Sequence, residues 1–170
     1  MVEVSVNNLT KGRIDTKFVE AVALCVINEE ARVLLAGRDV GVSVVFVGSA
    51  RMRRINAAYR KHDCVTDVLS FTEEPVLSET GALGNFVPEG ESQSLGELVI
   101  CPDRVKKDAK ELKVSEKDEF AWVIVHGILH LLGYDHEKGE KGAAVMRSKE
   151  EAYLSKIKHK SVKLKAKSVK

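Results

Sequence analysis

Three histidines fall within eleven residues, in the segment Ala121-Trp-Val-Ile-Val-His126-Gly-Ile-Leu-His130-Leu-Leu-Gly133-Tyr-Asp-His136. Positions four apart on a helix lie on one face, one turn above the other. His126 and His130 can therefore aim their imidazoles at one point. The residues around them are apolar, and two imidazoles in a buried helix are costly unless something polar satisfies their nitrogens. A metal ion does so directly, and neutral imidazole is a standard ligand for zinc and its neighbours. Gly133 stands where a helix wants a C-cap that tolerates positive φ, so the chain can turn back and offer His136 as a third ligand. Three protein ligands rather than four leave one coordination position for water or substrate, as catalytic sites do. A lone core histidine is usually just hydrogen-bonded; here a third histidine and a well-placed glycine together favour the metal.

The spacing matches the metzincin pattern His-Glu-x-x-His-x-x-Gly-x-x-His at every ligand and at the glycine. The exception is Gly127, which occupies the place of the general-base glutamate. Amide hydrolysis depends on that carboxylate to protonate a poor leaving group. Phosphodiester cleavage depends more on neutralising negative charge in the transition state. The substitution argues against a peptidase and permits phosphoryl chemistry. Met146 reads as a packing residue of the last helix rather than a Met-turn residue.

Cationic help is then required. Arg53, Asn56 and Arg60 share one face of a helix, opposite a stripe of Met52, Ile55 and Tyr59. Arg60, followed by Lys61-His62-Asp63 in a turn, is the best candidate to fork onto phosphate oxygens. As a residue pattern alone this is no stronger than a surface arginine favoured by a helix C-terminus.

The elements that must position these groups follow from periodicity. Val2, Val4 and Val6 alternate as a strand does, and Asp15 or Thr16 can cap a helix containing Val19, Val22, Ala23 and Val26. Val42 to Val47 is a β-branched strand, and Ser49 can cap a helix from Ala50 to about Arg60. Val68 to Phe71 and Leu95 to Cys101 read as further strands. Between them residues 73–94 hold two prolines, three glycines and five glutamates, a long acidic loop. Pro102 starts a helix to about Leu112, Ser115 caps the histidine helix, and a last helix spans roughly Lys141 to Lys156.

A chain of 170 residues with 44% hydrophobic and 31% charged residues suits one globular domain. No apolar run approaches the ~20 residues that span a bilayer, and the N-terminus lacks the pattern of a secretory signal. Cys25, Cys64 and Cys101 are odd in number and far apart, as free thiols in a reducing cytosol are. Cys64 reads as a packing residue rather than a fourth ligand. The net charge of +2 hides an asymmetry, because residues 156–170 carry seven lysines and no acid. That stretch is either a solvated, frayed end or a loose contact for a polyanion such as RNA.

Asn56-Ala-Ala-Tyr-Arg60-Lys-His-Asp63-Cys-Val-Thr66-Asp67-Val68-Leu69-Ser70-Phe71, the strand Leu95-Gly-Glu-Leu-Val-Ile-Cys101 and the histidine segment together resemble the YbeY endoribonucleases. The resemblance runs from about Val2 to the final helix. It departs from the family pattern at Cys64 and Thr72, where proline is usual, and at Glu97, where aspartate is frequent. It implies a single-strand-specific, metal-dependent endoribonuclease acting in ribosomal RNA maturation, at the 3′ end of 16S RNA, and in ribosome quality control. By the same likeness His126, His130 and His136 hold the metal and Arg60 is the catalytic arginine of the cleft.

The expectation is an α+β fold: a small mixed sheet of about four strands with about five helices, the metal-binding helix central. Residues 1–157 form a single metallohydrolase domain and residues 158–170 a disordered basic tail. The cofactor is one divalent ion per chain, zinc before nickel or another transition metal. The partners are single-stranded ribosomal RNA and proteins of the small ribosomal subunit, with no membrane, in a cytoplasmic monomer. Asp67 or Asp135 would orient a ligand imidazole from behind. Two other classes are a peptidase or amidase with a carboxylate from elsewhere, and a ribosome-assembly factor with a structural metal.

Overall fold

The computed structural model describes residues 1–34, 39–72, 93–135 and 139–167, with side chains described to residue 30 in the first stretch and residue 158 in the last. Four strands and five helices follow in the order β1 (Val2–Asn8), α1 (Thr16–Leu34), β2 (Val40–Phe46), α2 (Ser49–Arg60), β3 (Val68–Phe71), β4 (Gln93–Ile100), α3 (Pro102–Leu112), α4 (Glu116–Leu131) and α5 (Glu140–Lys167). The sheet order is β1-β2-β4-β3. β1 and β4 pair with β2 in parallel, and β3 closes one edge antiparallel to β4. The fold is α+β with a mixed sheet.

Alternation along the strands sorts side chains onto two faces. Val40, Val42, Val44 and Phe46 of β2, with Leu95, Leu98 and Ile100 of β4, meet α1, α4 and α5 in the larger core. Val45 and Val99, with Leu69 and Phe71 of β3, meet Met52 and Ile55 of α2 in a smaller core on the other face. α4 lies in the middle of the larger layer, and Val123, Ile124, Val125, Ile128, Leu129 and Leu131 on it are fully buried. A helix apolar around its whole circumference belongs inside. Each such side chain contributes about 1.5–3 kcal/mol by leaving water.

Several local expectations change in detail. Asp15 is the cap of α1, its Oδ1 accepting from Phe18 N at 3.0 Å. Gly48, not Ser49, is the N-cap of α2. Ser49 opens the helix instead and turns its hydroxyl toward Cys101 Sγ at 3.7 Å. Met146 packs into the core as expected. α5 continues past Lys156 to Lys167, so its backbone carries most of the lysine-rich stretch. The acidic loop lies outside the described residues from 73 to 92, and its last two residues begin β4. No helix among the described residues is long and apolar enough to cross a membrane.

Candidate metal centre and substrate cleft

Both ends of α4 are fastened by its own sequence. At its start the Ser115 hydroxyl accepts from Asp118 N at 3.0 Å and donates to Asp118 Oδ2 at 2.8 Å. At its end Gly133 takes φ +94°, in the left-handed region. Gly133 N donates to His130 O and Tyr134 N to Leu129 O, both at 3.0 Å. This pair of bonds is a Schellman motif, and it reverses the chain immediately after His130. His136 itself lies outside the described residues.

His126 and His130 come together as their spacing requires, ring centroids 4.6 Å apart and planes at 81°. Trp122, one turn earlier, stacks on His126 at 4.7 Å with planes 22° apart. On the other side Glu150 Oε1 of α5 lies 2.7 Å from His126 Nδ1. A neutral ring donating from Nδ1 carries its lone pair on Nε2. Glu150 adds a carboxylate to the two expected candidates, Asp67 and Asp135. Asp67 and Asp135 line the same cleft, but Asp67 Oδ1 accepts from Thr66 Oγ1 and Val68 N, at 2.9 and 2.8 Å.

The cleft has a volume of about 590 Å³ and runs between α4 and the edge strand β3. His126, His130, Arg60, Asp67, Ser70 and Asp135 are among its lining residues. Arg60, the last residue of α2, reaches around the sheet edge, its Nη2 3.5 Å from the Ser70 carbonyl oxygen. The other two members of the expected cationic face are used differently. Arg53 grips Asp63 through two bonds, Nε to Oδ1 at 2.6 Å and Nη2 to Oδ2 at 2.7 Å, which raises the guanidinium pKa and lowers that of the carboxyl. Asn56 is buried, and its amide donates to the Cys64 carbonyl at 3.0 Å. Cys64 is exposed rather than packed, although the same amide also reaches its Sγ at 3.5 Å. Tyr59 also departs from expectation, standing 70% exposed instead of facing inward.

Gly127 explains itself by packing. A Cβ there would lie 2.8 Å from Leu98 Cδ2 and 3.4 Å from Val68 Cγ2. A Cβ at this position points at the sheet, so any larger residue would have to displace the buried Leu98. The donor chemistry of the cleft suits a transition metal: two imidazoles side by side, one backed by a carboxylate, at the negative end of a helix dipole. Among the described residues no three metal-ligating side chains form a group, and His136 is not one of those residues.

A second polar cluster braces the turn after α4. The buried carboxylate of Glu30 on α1 accepts from Tyr134 Oη at 2.8 Å, and from Lys149 Nζ and Tyr153 Oη at 2.6 Å each. Burial pushes this carboxyl up, yet the bonds from Lys149, Tyr153 and Tyr134 outweigh it and hold the group below its usual range. Its partner Tyr153 is raised far above the ordinary phenol value, by burial first and by Glu30 second.

Comparison with known proteins identifies the family. The family model described as endoribonuclease YbeY matches residues 5–158. A protein named endoribonuclease YbeY from Leptospira interrogans is 43% identical over 121 residues, covering 66% of this chain and 84% of that protein. One of the same name from Chloroflexus aggregans is 37% identical over 142 residues, covering 84% of this chain and 87% of its own. The solution structure of TM1509 from Thermotoga maritima superposes with a TM-score of 0.62 at 26% identity, covering 94% of this chain and 92% of that one. The match over residues 5–158, with relatives this similar over most of their length, means that the chain belongs to the endoribonuclease YbeY family.

Proposed function

We propose that this chain is a single-strand-specific, metal-dependent endoribonuclease that cuts ribosomal RNA during maturation of the 16S 3′ end and in ribosome quality control. As a member of an endoribonuclease family it is a hydrolase of RNA phosphodiester bonds. The observation that carries the reading is the pairing of two adjacent imidazoles with an arginine across one cleft. In this reading His126, His130 and His136 hold one divalent ion, zinc before nickel. When bound, such an ion supplies positive charge and Lewis acidity at the scissile phosphate.

The chain's own residues do the rest. Glu150 and Trp122 fix the rotation of the His126 ring from either side. Arg60 presents a planar fork to the phosphate's non-bridging oxygens and stabilises the charge that builds there. Gly127 supplies no carboxylate where a metalloprotease has its general base, which favours the phosphodiester over the amide. Residues 1–157 act as one domain, the basic stretch 158–170 adds attraction for RNA, and the protein works as a cytoplasmic monomer beside small-subunit ribosomal proteins.

The test is metal content and RNA cleavage in wild type, His130→Ala and Arg60→Glu. His130→Ala is expected to lose the metal and the activity together. Arg60→Glu should keep the metal and lose cleavage by about 100-fold or more. Full cleavage by purified His130→Ala, with contaminating nuclease excluded, overturns the proposal.

A further inference from the structure

Tyr59 is placed where a buried helix stripe would continue, yet 70% of it meets solvent. Its ring stands edge-on to Phe71, centroids 5.2 Å apart and planes at 73°. Phe71 is rooted in the smaller core beside Leu69 and Val99, so the tyrosine is braced from one side and open on the other. The chain neighbours of both rings line the cleft: Arg60 follows Tyr59, and Ser70 and Thr72 flank Phe71. The surrounding surface is cationic. Arg51, Arg54, Arg60 and Lys61 are all exposed, and α2 contains no acidic residue.

A braced aromatic ring among cations, one residue along the chain from the cleft wall at Arg60, Ser70 and Thr72, matches the two halves of a nucleotide. Bases stack on aromatic side chains whatever their identity, while phosphates answer to lysine and arginine. A base inside a duplex already has both faces covered by its neighbours. Only an unpaired base can lie on a protein ring.

We propose that Tyr59, braced by Phe71, is a stacking platform for an unpaired nucleobase of RNA that crosses the rim of the cleft, with Arg51, Arg54 and Lys61 meeting the flanking phosphates. The platform rests on the ribonuclease reading above and adds to it a physical reason for single-strand selectivity.

The test uses the full chain and a cleavage-resistant 2′-O-methyl single strand carrying the fluorescent base 2-aminopurine. Wild type and Tyr59→Phe should quench the fluorescence on binding, because both keep the ring. Tyr59→Ala should bind about tenfold more weakly, without the quench and with an unchanged salt slope. Arg54→Gln should keep the quench and lower the salt slope. On a cleavable strand Tyr59→Ala should raise KM and leave kcat near wild type. Duplex of the same sequence should show no quench. Equal binding and quench in wild type and Tyr59→Ala overturns the platform, as does an equal quench by duplex; a tyrosine that serves a protein contact would give the first result. If wild type cuts RNA while Tyr59→Ala is indistinguishable from it, the platform alone fails. If wild type neither binds nor cuts RNA, the ribonuclease reading fails as well.

Discussion

Glu150 Oε1 lies 2.7 Å from His126 Nδ1, and this contact ties the histidine-bearing helix α4 to α5. The two side chains are only 13% and 17% exposed, so the bond is poorly screened. A carboxylate in this position fixes the tautomer and rotation of the ring and raises its basicity as a ligand.

Glu150→Gln keeps the shape and removes the charge. Metal affinity is expected to fall about 10–100-fold, read by competition against a chelator of known strength. The far-UV circular dichroism should not change. Wild-type affinity in this variant would detach Glu150 from the metal centre.

Glu150 also marks how far sequence reading reaches. The histidine pair was legible because helical spacing is local, and Gly133 because a C-cap sits at a fixed offset from the last helical residue. Strand alternation gave the two faces of the sheet in the same way. The anchor of His126 comes instead from 24 positions away, on a helix that also carries Glu140 and Glu151. Nothing local distinguishes it. Tyr59 failed for a related reason: helical period shows which side of α2 it occupies, not that it comes to lie beside Phe71 on the edge strand. Arg60 was legible as a cation in the right motif, while its reach around the sheet edge to Ser70 needed the fold.

The Glu30 cluster gives the fold a signature in pH. Its carboxyl pKa is lowered, so its stabilisation is present above the unfolded value and is lost as pH falls through the folded one. Lys149 behaves oppositely: burial depresses it, but Glu30 and Tyr134 outweigh burial and raise it, so its share fails only at strongly alkaline pH. Glu30→Gln is expected to cost about 1–3 kcal/mol at neutral pH. The 3–5 kcal/mol of a fully buried broken pair is too much, because Lys149 keeps 32% of its side chain exposed. The gap in Tm between wild type and variant should be constant near neutrality and close below pH 4.5, the carboxyl's ordinary value. A gap that widens in acid would refute the assignment.

Asn56 should prove structural rather than catalytic. It is 4% exposed, with its side-chain amide on the Cys64 carbonyl and its backbone carbonyl accepting from Lys61 N. Asn56→Asp sets a carboxylate against that carbonyl and is expected to cost about 1–3 kcal/mol at neutral pH. Stability should recover in acid, where the protonated carboxyl can donate again. KM should rise, because the chain from Cys64 leads into Thr66 and Asp67 of the cleft wall. Unchanged Tm in the Asp variant would show that the amide bond carries no weight.

The peptidase alternative can be put to trial at Gly127. Alanine is favoured over glycine within a helix by about 1 kcal/mol, while overpacking a filled core costs about 1–3 kcal/mol. Leu98 is fully buried and sits 2.8 Å from the added Cβ, so packing should win and Gly127→Ala should melt a few degrees lower. Gly127→Glu restores the metalloprotease pattern on paper, but its Cβ would crowd the buried Leu98 at 2.8 Å and Val68 at 3.4 Å. An unpaired carboxylate in such surroundings is far more costly than a methyl group. This variant is expected to be strongly destabilised and to cleave no peptide at any temperature where it remains folded, as thermal melts and a quenched fluorogenic peptide would show. A stable, metal-loaded Gly127→Glu protein that hydrolyses peptides would mean that the cleft is built for either bond and that the glycine alone decides between them.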